Sequence, residues 1–392
     1  MSNGNICIIG AGIGGLTAAL AIARTGKRVE IHEQSHELRA VGAGVQLSPN
    51  AGRILAELDL VPRLMDYAVE TEGLSVRSGR SGKTLSQMTH GDVAKARWGA
   101  PFRVIHRGDL QKVLLEAVAN EPRISLHMGH QLFDIRFRDN SATAYLSNTG
   151  REISTTPDAM IAADGLWSKA RGFVGLNAPS NFSGCVAWRT VVPREAAPDI
   201  ALALRSNLWL GPGAHVVHYP VRAGDEINIV AIVEDKWKER GWSEPGDIQW
   251  INQRFKDWHP DIRALVGCAK GWLRWSLFDR APDWHWTRGN LALLGDAAHP
   301  MLPFLAQGAS QAIEDASVLA HWLKNTADPV VALKGYEQQR IRRTARIQNT
   351  SRKQAGIYHA GGPFALARNL GMAALGGDGL MRRYDWLYGR NA

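Results

Sequence analysis

The sequence predicts an α/β protein in which a parallel sheet is interleaved with an antiparallel one. Three observations carry that expectation. An apolar run, a glycine-rich turn, a helical pattern and a second short strand follow one another at the N-terminus. Two later apolar runs, at 160–163 and 290–294, lead into Asp164-Gly165 and Gly295-Asp296. Between them, residues 179–281 read as short β-rich runs separated by turns.

In chain order, residues 6–9 form a short apolar run bounded by glycine, as a strand buried on both faces requires. Gly10, Gly12 and Gly15 complete G-x-G-x-x-G. Residues 16–25 follow as a helix ending at Gly26, and 28–32 as a strand closing on Glu33. The three glycines have separate tasks: a tight turn, close approach of backbone to a pyrophosphate, and close helix–strand packing. The helix N-terminus presents unpaired N–H groups to the phosphates. An acid about 20 residues beyond the glycines accepts from ribose hydroxyls, so Glu33 marks a dinucleotide site, NAD or FAD. The run 160–163 predicts another strand, with Ser168 capping or entering a helix that carries Lys169 and Arg171. WRTVV, LALRSNLWLG, HVVHYPV and INIVAIV predict an antiparallel sheet. Alternation along HVVHYPV puts His215, Val217 and Tyr219 on one face and His218 on the other. Helix resumes at 309–320 after the loop that holds His299, Pro300 and Pro303.

Composition limits the partners. The chain has 392 residues, enough for two or three domains, and its 45% hydrophobic and 21% charged residues suit a globular protein. The net charge is +9, yet basic residues are spread out. Only 340–353 is dense, and it reads as a solvated helix face, so no nucleic-acid partner is expected. The N-terminal apolar stretch breaks at Gly10, short of the ~18–20 residues of a membrane span, and has no signal-peptide features. A cytoplasmic protein with no membrane partner is expected. Cys7, Cys185 and Cys268 lack paired metal spacing and read as buried thiols, with no metal site expected. The tryptophans at 272, 275, 284 and 286 read as a core or interface cluster. No G-x-S-x-G, H-E-x-x-H, C-x-x-C or second complete G-x-G-x-x-G is present.

GAGIGG, ADGLWSKAR and LLGDAAHP, in that order and spacing, resemble the fingerprints of the single-component FAD-dependent aromatic hydroxylases. That family includes salicylate hydroxylase, 6-hydroxynicotinate 3-monooxygenase and 3-hydroxybenzoate 6-hydroxylase. Residues 41–60, 106–114 and 382–389 are similar to further family segments. The resemblance implies a Rossmann-like FAD-binding domain with an interleaved β-sheet substrate domain and C-terminal helices. The expected division is 1–178 for FAD, with a β-rich insertion near 70–105 on the substrate side; 179–281 for substrate; 282–345 for FAD again; and 346–392 as a helical tail.

The resemblance also implies roles. Gly10, Gly12, Gly15 and Glu33 would hold the ADP half, Arg107 the phosphates or ribityl chain, and Asp296 the ribityl hydroxyls. Asp164 would serve FAD and NAD(P)H, and N–H groups near Gly308 and Ala309 would face the flavin. On that reading the chain turns at Gly295 because a side chain would block the cofactor. His215 and Tyr219 would line the substrate pocket, either one accepting the substrate's hydroxyl proton, with Pro303 and Phe304 beside the flavin ring as further substrate-binding residues. Gln46 and Arg189 stay unassigned as carboxylate partners. Pro303 departs from the glutamine of the 3-hydroxybenzoate enzymes and points to the salicylate or 6-hydroxynicotinate branch. The implied activity is hydroxylation of a hydroxylated aromatic acid with NADH or NADPH and O₂, captured at flavin C4a, by a monomer or homodimer. Rival readings are a flavin oxidase or dehydrogenase on the same fold, an NAD-dependent dehydrogenase, and a non-catalytic FAD-binding redox regulator or basic nucleic-acid binder.

Overall fold

Residues 4–38, 44–239 and 244–389 are described by the computed structural model. The start of the 41–60 segment, residues 240–243 of the β-rich region and both chain ends lie outside the described residues. The parallel sheet runs Ile124–Met128, Arg28–Glu33, Asn5–Ile9, Ala159–Ala162, Leu291–Leu293, with Thr287–Arg288 antiparallel at its edge. Ile6, Cys7, Ile8 and Ile9 are all buried, so an unbroken apolar run forms this strand rather than an alternating one. From Asn5–Ile9 the chain steps to Arg28–Glu33 on one side and later fills the other side with Ala159–Ala162. A reversal of this kind opens a crevice beyond the strands' carboxyl ends. Gly10, Asp164 and Gly295 all lie just past those ends, so three sequence-distant motifs become neighbours.

The first helix is Ile13–Ala23, entered earlier than the 16–25 pattern suggested. Its glycines explain the early start. A Cβ on Gly14 would sit 2.8 Å from Leu294 Cδ2, and one on Gly15 would sit 2.0 Å from the Gly10 carbonyl oxygen. Side chains there would push the helix off the sheet. Helix Gly308–Asn325 packs against Ile13–Ala23, and helix Pro329–Tyr358 packs behind it. The latter runs unbroken through residues 345 and 346.

A second sheet forms the roof. Its order is Glu244–Gly246, Trp272–Asp279, Asn181–Pro193, Glu226–Glu234, Ala214–Val221, Ser206–Gly211, Gly73–Ser78, Thr84–Thr89. Neighbours are antiparallel except Ser206–Gly211 with Gly73–Ser78, which are parallel. The strands described within 179–281 pair antiparallel, as expected; the parallel pair joins them to two outer strands that arrive from residues 73–89 by a long connection rather than a hairpin.

Two composition readings are corrected. The tryptophans do not form one cluster: Trp272 and Trp286 are buried in different cores, Trp275 is half-buried, and Trp284 is 68% exposed. The segment 340–353 is not a solvated face throughout, since Arg340 is only 2% exposed. Its partners come from helix Gly308–Asn325, which periodicity within one helix cannot reveal. Among the described residues no helix is long and apolar enough to cross a membrane.

Candidate active site

Both sheets contribute to a cavity of about 670 Å³. Gly12, Ala163, Gly165, Gly295, Asp296, Gly308 and Ala309 line it from the parallel-sheet side. Arg189, His215, Val217, Tyr219 and Trp275 line it from the roof, with Gln46, Arg107 and Pro303 completing the wall.

The glycines of the first turn divide by geometry. Gly10 has φ +105°, and a Cβ there would lie 2.5 Å from the Ala163 carbonyl oxygen, so only glycine makes this turn. Gly15 seats the helix on that turn. Gly12, by contrast, has ordinary dihedrals, and its added Cβ would meet no protein atom within 4 Å. It faces open cavity. Glu33 lies outside the cavity wall and accepts from the Ala11 and Ser35 N–H groups, both at 2.9 Å, which ties the second strand to the glycine turn.

Asp164 is turned into its own loop. Its Oδ2 accepts from the Lys169 and Ala170 N–H groups, while Oδ1 is buried without a partner. Burial pushes its carboxyl above the usual range, against hydrogen bonds from Ser168 and the loop amides. The predicted helix after Ser168 is one short turn, Ala170–Phe173. Arg171 within it is buried. It donates to the Ala297 carbonyl at 2.7 Å and pairs with Asp283 at 2.5 Å, fastening this loop to the one that bears Asp296.

Asp296 lines the cavity and is exposed to it. No donor among the described residues reaches its carboxylate. Desolvation pushes the group upward and Asp315 adds to this, while His299 and Arg107 oppose it. Hydroxyl donors from a ligand would relieve that. Arg107 opens helix Arg107–Ala119 and also faces the cavity. The first-turn amides of helix Gly308–Asn325 have no intrahelical acceptors, so Gly308 and Ala309 present donors there. An open glycine cradle, a carboxylate awaiting hydroxyl donors and a helix N-terminus fit the pyrophosphate, ribityl chain and ring of FAD.

The sequence did not disclose what holds the Asp296 loop. Asp315, fully buried, accepts from the Gly295 N–H at 3.0 Å, His299 Nε2 at 2.6 Å and Arg340 Nε at 2.7 Å. Glu314 beside it takes Arg340 and Arg343. Gly295 has φ +62°, and its Cβ would press on Ala312 Cβ at 3.2 Å. Backbone conformation and packing on helix Gly308–Asn325 therefore require this glycine, where the sequence suggested obstruction of the cofactor. Adjacent acids in the middle of a helix, followed by the arginines of 340–343, were the available signal.

On the roof, Arg189 is half-buried and stacks over Trp275, its guanidinium carbon 3.8 Å from the ring centroid. Among the described residues no carboxylate pairs with it, and its Nε lacks a partner. Desolvation lowers it to about 10, Tyr219 opposing this and Arg107 adding to it. His215 is held well below the usual histidine range by burial and then by His359, so its ring is neutral. Burial also keeps Tyr219 a phenol, against the field of Arg189. Tyr219 therefore does not suit the role of proton acceptor, and the paired role expected for the two residues narrows to His215. His218 points away and accepts from Trp209 Nε1 at 3.1 Å. Phe304 is buried behind His215, ring centroids 5.4 Å apart, and does not line the cavity as expected. Pro303 does.

Comparison with known proteins places the chain. Residues 4–351 match the FAD binding domain family. The chain is 36% identical over 387 residues to 3-hydroxybenzoate 6-hydroxylase 1 of Aquipseudomonas alcaligenes, covering 98% of each. It is 31% identical over 353 residues to 6-hydroxynicotinate 3-monooxygenase of Pseudomonas fluorescens, covering 88% of this chain and 90% of that one. Among solved structures, Klebsiella pneumoniae HpxO complexed with FAD and uric acid superposes with a TM-score of 0.86 at 26% identity, covering 99% of this chain and 98% of that one. The fold and site define a flavoprotein monooxygenase. The chain belongs to the FAD-binding family of aromatic hydroxylases, with FAD as cofactor and NADH or NADPH as co-substrate. Of the two hydroxylases, the 3-hydroxybenzoate enzyme is the more similar, against the branch that Pro303 suggested.

Proposed function

We propose that the chain hydroxylates the ring of a small phenolic carboxylic acid, and that Arg189 holds the acid's carboxylate. The observation that carries this reading is Arg189 itself: a desolvated guanidinium, without an acidic partner among the described residues, on the wall that also holds His215. A partly desolvated charge without an acidic partner is unfavourable, and an anionic ligand relieves it. Trp275 gives the guanidinium a π-face and leaves its edge free for a planar carboxylate. FAD, when bound, would supply the redox chemistry that links NADH or NADPH and O₂ to ring hydroxylation. The protein's share is to orient the ring, exclude water and take the hydroxyl proton at His215, since a phenolate ring is the more electron-rich.

Gly12, Glu33, Arg107, Asp296, Gly308 and Ala309 are proposed to hold FAD, with Gly10 and Gly15 shaping the turn that receives it and Asp164 shaping the loop beside it. Residues 1–178 and 282–358 are proposed as the cofactor domain, the expected boundary at 345 moving to the end of the helix it would cut, 179–281 with the 70–105 insertion as the substrate domain, and 359–392 as the tail. The proposed setting is the cytoplasm, supported by three free thiols. The proposed state is a monomer or homodimer.

The test is anaerobic flavin reduction by NADH and by NADPH with a panel: 3-hydroxybenzoate, salicylate, 6-hydroxynicotinate, the methyl ester of each, and uric acid. The free acids should accelerate reduction and the esters should not. Arg189→Met should weaken acid binding about 100-fold, roughly 3 kcal/mol, and leave ester binding unchanged. Equal response to acid and ester would remove Arg189 from this role, and uric acid as the sole effector would replace the phenolic acid.

A further inference from the structure

His215 is joined to the protein surface. Its Nδ1 lies 2.9 Å from His359 Nε2, and His359 Nδ1 lies 3.2 Å from Glu234 Oε1. The chain of contacts crosses from strand Ala214–Val221 to the residue after helix Pro329–Tyr358, then to the end of strand Glu226–Glu234. His215 and His359 are buried, whereas the Glu234 side chain is 60% exposed. The rings of Phe304 and Tyr358 wall the path.

The chemistry of the outer end fixes the inner end. An ionised carboxylate only accepts, so His359 must carry its proton on Nδ1 and leave Nε2 bare. His215 must then donate from Nδ1. Its Nε2 is left bare, the one ring nitrogen remaining for the cavity.

We propose that Glu234, His359 and His215 form a proton exit from the substrate pocket, in which Glu234 sets both histidine tautomers. This rests on the reading that the substrate hydroxyl is deprotonated at His215. The substrate O–H bond breaks and its proton goes to His215 Nε2. The Nδ1 proton of His215 moves to His359 Nε2, and the Nδ1 proton of His359 moves to the Glu234 carboxylate, which gives it to water. One proton leaves, nothing is oxidised, and the reverse passage restores the starting tautomers when product is protonated. An exit is needed because burial makes His215 a poor resting place for a proton. His359 is held low by burial, with Glu234 raising it and Arg254 and Arg368 lowering it. Arg254 reaches the Pro212 carbonyl and Arg368 the Tyr358 carbonyl, so both cations are fixed beside the path and favour onward release. His359 and Glu234 are positioning residues; only His215 faces the substrate.

Nitrogen NMR of histidine-labelled, FAD-loaded protein tests the tautomers without any substrate. His215 Nε2 and His359 Nε2 should both be bare, and a proton on His215 Nε2 would overturn the proposal. Proton release to an indicator dye on binding 3-hydroxybenzoate, or whichever panel acid the enzyme takes, tests the path. Glu234→Gln ends in an amide that cannot take the proton, and should slow release at least about tenfold with flavin content unchanged. Glu234→Asp should restore most of the rate, and formate should rescue Glu234→Ala, as no purely structural role would allow. Wild-type release rates in both Glu234→Gln and Glu234→Ala would overturn the exit and leave the hydroxylase reading standing. Hydroxylation with no proton released by the wild type would overturn the deprotonation reading and the exit with it.

Discussion

Arg340→Met is expected to destabilise the protein by about 3–5 kcal/mol at neutral pH, the range for removing one partner of a buried ion pair. That is a large part of the about 5–15 kcal/mol by which proteins are stable. Arg340 donates from Nε to Asp315 at 2.7 Å, from Nη1 to Glu314 at 2.6 Å, and from Nη2 to the Gln311 side chain at 2.7 Å. Its removal leaves two adjacent buried carboxylates with only Arg343 and His299 opposite. Burial is the largest influence on both acids and pushes them up; Arg340, with Arg343 at Glu314 and His299 at Asp315, brings each down to about 2.

The pH dependence has a definite sign. A depressed folded-state carboxyl contributes stability above its unfolded pKa of roughly 4, and that contribution disappears as pH falls through about 2. Without Arg340 both carboxyls titrate higher, and acid neutralises the strain instead. Denaturant unfolding should therefore show the gap between wild type and variant widest near pH 7 and narrower near pH 4. A gap that stays constant over this range would mean that lost packing, not charge, explains the effect. Because Asp315 also holds the Gly295 amide and His299, the variant should release FAD more readily even where it remains folded.

The parts of this architecture legible in sequence are those set by local chemistry. A four-residue apolar run, a glycine triplet and an acid mark the first strand–helix–strand unit because each needs only its own neighbours. The Asp296 loop was visible for the same reason. The rest depends on contacts between distant segments. His215 meets His359 across 144 residues and His359 meets Glu234 across 125, so no pattern within one strand announces the chain. Arg340 read as solvated because its helix is rich in arginine, and the acids that bury it lie on another helix. Alternation put His215 and Tyr219 on the cavity wall, but Phe304 sits behind His215 because the loop closes into a turn at Pro303–Leu305 that sends its ring to Tyr358. Gly44 shows the same limit: a Cβ there would lie 2.4 Å from Tyr219 Cε2, a constraint set from the opposite sheet.

Substituting two glycines three residues apart should give opposite failures, and the contrast separates folding from cofactor binding. Gly12 has φ −74° and ψ −179°, which valine adopts without strain, and its Cβ would project where no protein atom lies within 4 Å. Gly12→Val should therefore fold with a stability within about 0.5 kcal/mol of the wild-type apoprotein, as for a surface change. It should nevertheless be purified colourless, because the added methyls occupy the space into which the pyrophosphate must come. Gly15 differs. A Cβ there would lie 2.0 Å from the Gly10 carbonyl oxygen and 3.1 Å from its carbon, and Gly10 cannot retreat because it rests on the Ala163 carbonyl. Gly15→Ala must lift the helix from the first strand, an overpacking penalty of at least about 1–3 kcal/mol, so this variant should melt earlier even with excess FAD. Flavin absorbance per protein and thermal unfolding of the apoproteins distinguish the two. Full flavin content in Gly12→Val would mean that the cavity beside this glycine is not the dinucleotide cradle. A normally stable Gly15→Ala would mean that the helix has room to slide, and that the turn tolerates what its geometry forbids.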